Sequence, residues 1–114
     1  MKRGEVYDAR LDPVEGSEQR GSRPVVAVSR DAINESSPVV STAPGTTYRE
    51  GRRIYPSQVL VKAPEGGLDA GFGDSGRAHV RVLDKKRLLR RRGDLTLTTI
   101  ARLNEALQIA FDLD

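Results

Sequence analysis

The segment GSEQRGSRPVVAVSRD, residues 16–31, joins a polar stretch that contains two glycines to an apolar run that begins at Pro24. The run RPVVAVS (23–29) is almost continuous and rich in β-branched residues, which predicts a strand covered on both faces. Pro24 fixes its own φ and favours an extended conformation at the preceding residue, Arg23. Because Arg23 opens this strand, we expect a rigid element to hold its guanidinium in a fixed place beside a polar loop.

Short apolar runs separated by turn residues continue along the chain. They predict strands at 4–12, 23–29, 38–43, 57–63 and 77–84. Polar loops are expected at 12–22 and 44–56, and an irregular glycine-rich stretch at 64–76. Two short segments are compatible with helical turns, one begun by Asp31 and one within 83–89.

The spacing of apolar residues changes near the C-terminus. From Thr96, a suitable N-cap, apolar residues recur at helical spacing at Ile100, Leu103, Leu107 and either Ala110 or Phe111. The pattern predicts one terminal amphipathic helix that packs on the sheet. The predicted fold class is therefore α+β, mainly β: a small barrel or curled sheet of short, mostly antiparallel strands, forming a single domain over 1–114.

Composition excludes several classes of function. The 114 residues include no cysteine and no apolar run near the roughly 18 residues that a membrane helix needs. The basic start is not followed by an apolar segment, so we expect a cytoplasmic protein. GFGDSG (71–76) matches a dinucleotide-binding pattern, but a strand and not a helix is predicted after it. With one histidine, and with Asp69 and Asp74 lacking partners at ligand spacing, neither metal nor cofactor is expected.

Positive charge points to a partner that carries phosphates. The net charge is +3 and most of the 19 basic residues are Arg, whose planar fork suits phosphate. Basic residues cluster at 48–53 and 85–92. A solubilising surface would explain these clusters equally well, and the triplet Arg90–Arg92 is open to both interpretations.

Phosphate chemistry without a metal is possible when the substrate is RNA. The 2′-hydroxyl attacks the adjacent phosphorus, and the protein assists proton transfer and stabilises charge on the phosphoryl oxygens. Arg can neutralise those oxygens, although its high pKa makes it a poor proton donor.

Several motifs in order carry a resemblance to a known family. They are RGEVY (3–7), GSEQRGSRPVVAVS (16–29), Asn34, APGT (43–46), YP (55–56), GGL (66–68), HVRVLDKKRL (79–88) and LNEAL (103–107). Together they resemble the MazF/PemK family of type II toxins over about residues 3–113. The resemblance implies an SH3-like barrel, a homodimer, and a metal-independent endoribonuclease that cuts single-stranded RNA to a 2′,3′-cyclic phosphate and a 5′-hydroxyl. It also implies a cognate antitoxin whose flexible acidic tail lies along the RNA groove.

The resemblance assigns roles to individual residues. The catalytic pair would be Arg23 and Thr46, although the residues alone do not favour Thr46 over Thr42 or Thr47. Candidate RNA contacts in the loop and on the last predicted strand are Ser17, Glu18, Gln19, Arg20, His79 and Arg81.

Two departures from the family pattern bear on these roles. The family usually has Gln at the position of His79, and some members have an acidic residue where this chain has Ala78. We hypothesise that His79 contributes proton transfer or base recognition, because an ordinary imidazole titrates near pH 6.5. A hydrogen-bonded strand histidine is the alternative.

Two other functions stay open at this point. A protein of the same fold could poison a protein target such as gyrase, without the catalytic pair. A non-catalytic nucleic-acid-binding barrel is the other, but such modules stack bases on aromatics, which are only 4% of this chain.

Overall fold

The computed structural model describes residues 1–10, 22–47, 58–68, 72–75 and 80–112. Their elements are β1 (Glu5–Arg10), β2 (Ser22–Ala27), α1 (Asp31–Ser36), β3 (Val39–Thr47), β4 (Gln58–Val61), β5 (Phe72–Ser75), β6 (Arg81–Asp84), β7 (Leu88–Asp94) and α2 (Leu97–Ala110). Two 3-10 turns, Glu65–Gly67 and Lys85–Arg87, complete the order. The predicted class is confirmed: antiparallel strands dominate and one long helix ends the described chain.

All seven strands form one antiparallel sheet. Along its main path the order is β4-β5-β3-β2-β1-β7, and β6 pairs with β3 beside that path. The long β3 bonds β6 through residues 39–42 and β5 through residues 45–47. The sheet is thus centred on β1, β2 and β3, which hold each other in register.

Strand β2 is buried on both faces, as its apolar run predicts. Val26 packs in a cluster with β1, β4 and α2 that includes Val6, Val61 and Leu103. Its neighbour Val25 faces the opposite side and packs with Ala9 and Leu83. Two small cores on opposite faces therefore fix β2 within the sheet.

Helix α2 follows the predicted period. The hydroxyl of Thr96 accepts a hydrogen bond from the amide of Thr99 at 3.2 Å, which confirms Thr96 as the N-cap. Leu103 is 1% exposed, and Ile100 and Leu107 pack against the same cluster. Of the two alternatives for the end of the apolar stripe, Phe111 is wrong, because it is 53% exposed.

The structure corrects the end of one predicted strand and adds two strands that were not predicted. The third strand does not end at Ala43 but runs to Thr47, so residues 44–47 are not loop. Two strands were not predicted, β5 within the glycine-rich stretch and β7 over the arginine run. The other expected loops, 12–22 and 44–56, lie mainly outside the described residues.

A close backbone approach anchors β7. Gly67 has φ +70°, and a Cβ there would lie 1.9 Å from the carbonyl oxygen of Arg92, so only glycine fits. The Arg92 side chain in turn donates to the Gly67 carbonyl from Nε at 3.1 Å and Nη2 at 2.9 Å. These contacts lock the turn at Glu65–Gly67 against β7.

Candidate functional site

Arg23 lies near the start of β2, in a row of residues that pair with one another across β2, β1 and β7. Its register partner is Ala9, whose partner on β7 is Leu88. Alternation along a strand puts Arg23 on the same face as Val25, which is buried. Arg23 itself is exposed, so its guanidinium lies where this face opens to solvent.

The backbone of Thr46 lies near the same end of β2. Strands β2 and β3 pair from Val25–Pro44 to Ala27–Thr42, and Arg23 and Thr46 each lie two residues past the Val25–Pro44 pair. Thr46 itself pairs with Gly73 of β5. Both predicted catalytic residues thus lie beyond the same end of the β2–β3 pairing; their catalytic roles stay predictions.

Thr42, the competing candidate, has a structural role. It is 1% exposed, and its hydroxyl donates to the carbonyl oxygen of Arg81 at 3.0 Å. This bond joins β3 to β6 and leaves Thr42 buried. The structure therefore removes one of the two alternatives to Thr46 that the residues left open.

Arg81 is exposed and pairs with Thr42 across β3 and β6. Thr42 is four residues from Thr46, about 14 Å along an antiparallel strand. Because Arg81 pairs with Thr42, its backbone is displaced from Thr46 by about that distance along β3. The other predicted RNA contacts, Ser17, Glu18, Gln19, Arg20 and His79, lie outside the described residues. The two described residues that flank 11–21, Arg10 and Ser22, are register partners beside Arg23.

The arginine triplet on β7 is engaged by acids of β1. Arg91 contacts Glu5 at 3.1 Å and Asp94 at 2.6 Å. Arg92 contacts Asp8 at 3.1 Å, and the more exposed Arg90 contacts the same carboxylate at 3.5 Å. The ion pairs of this run with Glu5 and Asp8 thus tie β7 to β1.

Tyr7 belongs to the same cluster. Its hydroxyl donates to Glu5 at 3.0 Å. Burial, then the hydrogen bond and charge of Glu5, raise the pKa of Tyr7. For Glu5, burial acts to raise the pKa, but hydrogen bonds from the Lys2 amide, Arg91 and Tyr7 outweigh it, so the pKa lies below its usual value. Tyr7 is therefore a neutral hydrogen-bond donor and Glu5 an anion at neutral pH.

Two basic residues before β7 make different contacts. Lys85 donates from Nζ to the carbonyl oxygen of Asn34 in α1. Arg87 donates from Nη1 to the carbonyl oxygen of Arg10 at 3.2 Å.

An apolar groove lies between α2 and the sheet, away from Arg23. It has a volume of about 440 Å³ and is lined by Arg3, Val28, Val80, Asn104, Leu107, Gln108 and Phe111. On the neighbouring strand β6, Val82 is 64% exposed. Apolar surface that is open to solvent on adjacent elements is typical of protein–protein contacts.

Over the part of the chain that the structure describes, no three acidic or histidine side chains come together as a metal site would require. Within the same ranges no helix combines the length and apolar character needed to cross a bilayer.

Comparisons with known proteins agree with the fold. A family model for the PemK-like, MazF-like toxin of type II toxin–antitoxin systems matches residues 2–111. The chain is 35% identical to endoribonuclease MazF9 of Mycobacterium tuberculosis, covering 99% of this chain and 98% of the relative. It is 37% identical to endoribonuclease MazF of Staphylococcus saprophyticus, covering 99% and 92%.

Among solved structures, a mycobacterial endoribonuclease in complex with its cognate antitoxin superimposes with a TM-score of 0.78 at 26% identity. The match covers 100% of this chain and 97% of that one. Fold, motif order and sequence identity therefore agree. The chain belongs to the PemK-like, MazF-like toxin family of type II toxin–antitoxin systems.

Proposed function

We propose that this protein is a toxin endoribonuclease, a single domain over 1–114, that cuts single-stranded RNA with Arg23 and Thr46. The observation that supports the proposal is that Arg23 and Thr46 each lie two residues beyond the Val25–Pro44 pair, on strands fixed by buried side chains. Both curated relatives are named endoribonucleases, which favours RNA cleavage over the poisoning of a protein such as gyrase.

The chemistry is an internal transesterification that needs no metal ion. The 2′-oxygen forms a bond to phosphorus while the bond from phosphorus to the 5′-oxygen breaks. The proton of the 2′-hydroxyl leaves, and a proton is added to the 5′-oxygen, giving a 2′,3′-cyclic phosphate and a 5′-hydroxyl. Arg23 donates hydrogen bonds to the phosphoryl oxygens as their charge grows, an effect worth most when the donor is already held in place.

Partners follow from the same surface. The solved mycobacterial relative is bound to its cognate antitoxin. We infer that an antitoxin with a flexible acidic tail binds this chain. Such a tail carries the same sign of charge as RNA, so it competes with RNA for Arg23. With RNA as its target, the protein acts in the cytoplasm.

A homodimer is part of the proposal. The groove between α2 and the sheet is apolar, and the exposed Val82 lies two residues after Val80, which lines it. A second copy would bury this surface through a two-fold contact, in which each chain offers the same side chains.

The decisive experiment is cleavage of a long single-stranded RNA in EDTA, followed by analysis of the product ends. Wild type is compared with Arg23→Gln and with Arg30→Gln, which removes the same charge from an exposed position beyond the other end of β2. We expect site-specific cuts with cyclic phosphate ends in wild type and Arg30→Gln. The Arg23→Gln variant should lose about 100-fold or more of the rate.

Two outcomes would contradict the proposal. If Arg23→Gln cuts as fast as Arg30→Gln, Arg23 has no part in the reaction. If the folded wild type cuts no RNA with or without added Mg²⁺, the protein-target alternative takes its place.

A further inference from the structure

The face of the sheet that carries Arg23 also carries an aromatic ring. Tyr7 of β1 pairs with Val25 of β2, two residues along from the pair that Ala9 makes with Arg23. Residues that pair directly across antiparallel strands share a face, and so do alternate residues of one strand. Tyr7 and Arg23 are therefore diagonal neighbours on one face, where sheet geometry puts their Cα atoms about 7–8 Å apart.

Contacts along its length fix the Tyr7 ring. The ring packs against the buried cluster that contains Val25, and part of its surface stays open to solvent. Its hydroxyl donates to Oε1 of Glu5 at 3.0 Å. A ring that is already held by packing and by a hydrogen bond loses little conformational freedom when a flat ligand covers its open side.

The charges on either side of Tyr7 differ in sign. Glu5 lies two residues before Tyr7 on β1, and the Ala9–Arg23 pair lies two residues after it. Glu5 and Asp94 share the single guanidinium of Arg91, at 3.1 Å and 2.6 Å, so this group of three charges is net negative. A phosphate is attracted to Arg23 and repelled from the Glu5 side, which directs the backbone of a bound strand to one side of the ring.

An exposed cation and an aromatic ring on one face suit a single strand of nucleic acid. A second arginine, Arg81, is exposed on this face too, because it pairs with Thr42, and Thr42 pairs with Ala27 of β2. Proteins that bind single strands combine cationic side chains, which follow the backbone, with aromatic rings on which bases stack. Tyr7 supplies such a ring beside Arg23.

We propose that Tyr7 stacks on the base of a nucleotide that adjoins the phosphate held by Arg23. The inference rests on the proposed function, because it adds a base-binding position to the same site. Tyr7 is a binding residue and takes no part in proton transfer. Every base has a π-face, so Tyr7 contributes affinity and fixes the position of the strand without selecting its sequence.

The test is a double-mutant cycle between Tyr7 and each base of a bound strand. The probe is a fluorescent 2′-O-methyl oligonucleotide, which lacks the attacking hydroxyl. Its sequence spans a cleavage site mapped with wild type, or is selected from a random pool by binding if wild type cuts nothing. A series of these oligonucleotides carries one abasic position each. Tyr7→Leu should weaken binding of the intact oligonucleotide about 5- to 150-fold, and should weaken it no further where the stacked base is missing.

The cycle separates stacking from damage to the fold. A purely structural role makes Tyr7→Leu lose the same affinity for every oligonucleotide of the series, and that result overturns the proposal. Tyr7→Phe keeps the ring and removes only the bond to Glu5, so it should retain most of the affinity and the same dependence on one base. A Tyr7→Phe variant that binds as weakly as Tyr7→Leu also overturns the proposal.

A measurement on wild type decides the matter if Tyr7→Leu does not fold. The ring resonances of isotope-labelled tyrosine are assigned to Tyr7 by their absence in Tyr7→Phe. A stacked base should shift them upfield through its ring current, and the shift should vanish with one abasic oligonucleotide of the series. Resonances that do not move at saturation, or that move equally with every oligonucleotide, overturn the proposal.

The inference and the proposed function can fail separately. A wild type that cuts RNA, but in which Tyr7 couples to no base, refutes the inference alone. A wild type in which Tyr7 couples to one base, and which never cuts RNA, refutes the proposed cleavage alone. A folded wild type that binds no oligonucleotide refutes both.

Discussion

Asn34 offers a sharp test of how the fold supports the site. It is 0% exposed, and its Nδ2 donates to the carbonyl oxygen of Ser29 at 2.7 Å while its Oδ1 accepts from the Ser29 hydroxyl. The Ser29 hydroxyl also accepts from the amide of Ser41 on β3 at 3.1 Å. The backbone carbonyl of Asn34 accepts a hydrogen bond from Nζ of Lys85, which lies two residues before Arg87. The Asn34 side chain thus ties α1 to the segment after β2 and, through Ser29, to β3, while its backbone carbonyl contacts the turn that carries Arg87.

The substitution Asn34→Asp keeps the shape and removes the donor. An ionised carboxylate would face the Ser29 carbonyl without a hydrogen, whereas a protonated carboxyl can donate to it in place of the amide. Burial and this contact both raise the pKa of the new carboxyl above its ordinary value near 3.9. If the carboxyl stays protonated in the folded state at pH 7, the loss there is about 4 kcal/mol, from about 1.4 kcal/mol for each pH unit above 3.9.

The sign of the pH dependence follows from that raised pKa. The unfolded carboxyl releases its proton above about pH 3.9 and the folded one does not, so the penalty grows as pH rises. Urea unfolding followed by circular dichroism should show Asn34→Asp losing little stability near pH 4 and about 4 kcal/mol near pH 7. Asn104→Asp makes the same chemical change at an exposed position of α2 and should cost little at either pH. Equal penalties for both variants, or a penalty independent of pH, would refute the buried network.

The remaining predictions concern helix α2 and the groove. Glu65 accepts a hydrogen bond from the amide of Thr96 at 2.9 Å. Burial acts to raise the pKa of Glu65, but hydrogen bonds from Thr96 and Thr99 and the charge of Arg102 bring that pKa below its usual value. The stabilisation of the folded state by the Glu65 carboxylate is therefore present above about pH 4.3 and is lost as pH falls. Glu65→Gln should cost about 1 kcal/mol near pH 7 and less in acid, measured by thermal unfolding; a pH-independent cost would contradict this. Val82→Lys should shift the mass in light scattering from dimer to monomer, whereas an unchanged mass would place the dimer contact elsewhere.

Elements with an apolar period were predictable from the sequence. β2 and α2 are specified locally, by a β-branched run and by a helical stripe with its own cap. β7 was missed because its sequence, LLRRRGD, has no alternation of apolar residues. Ion pairs from Arg91 and Arg92 to β1 take the place of apolar packing, and the register shifts between Val6 and Tyr7. Contacts made by charged pairs leave no period in a sequence.

The length of β3 was mispredicted because Pro44 and Gly45 ordinarily end a strand. In this sheet the outer partner of β3 changes at that point: β6 pairs as far as Thr42, and β5 pairs from Gly45 onwards. Pro44 therefore falls between two outer partners, where its missing N–H breaks neither ladder, while its inner edge still pairs with Val25. A long-range pairing of this kind is invisible to local propensity, and β5 was missed for the same reason.

The site shows the same division between local and distant information. Arg23 could be singled out from the residues, because a strand junction before proline is a local feature. Thr46 could not, because the case against Thr42 lies in its burial and in the bond that ties Thr42 to Arg81.

Charge is where the sequence misleads most, and the structure shows why. A cluster of basic residues over 85–92 reads as one feature, yet its members face different partners. Arg91 and Arg92 are held by carboxylates of β1, and Lys85 is held by a carbonyl of α1. Arg87 alone in this group contacts the strand end beside Arg23, through the carbonyl of Arg10. Affinity for a phosphate backbone therefore depends on where each guanidinium lies in the sheet, and a net charge of +3 says little about it.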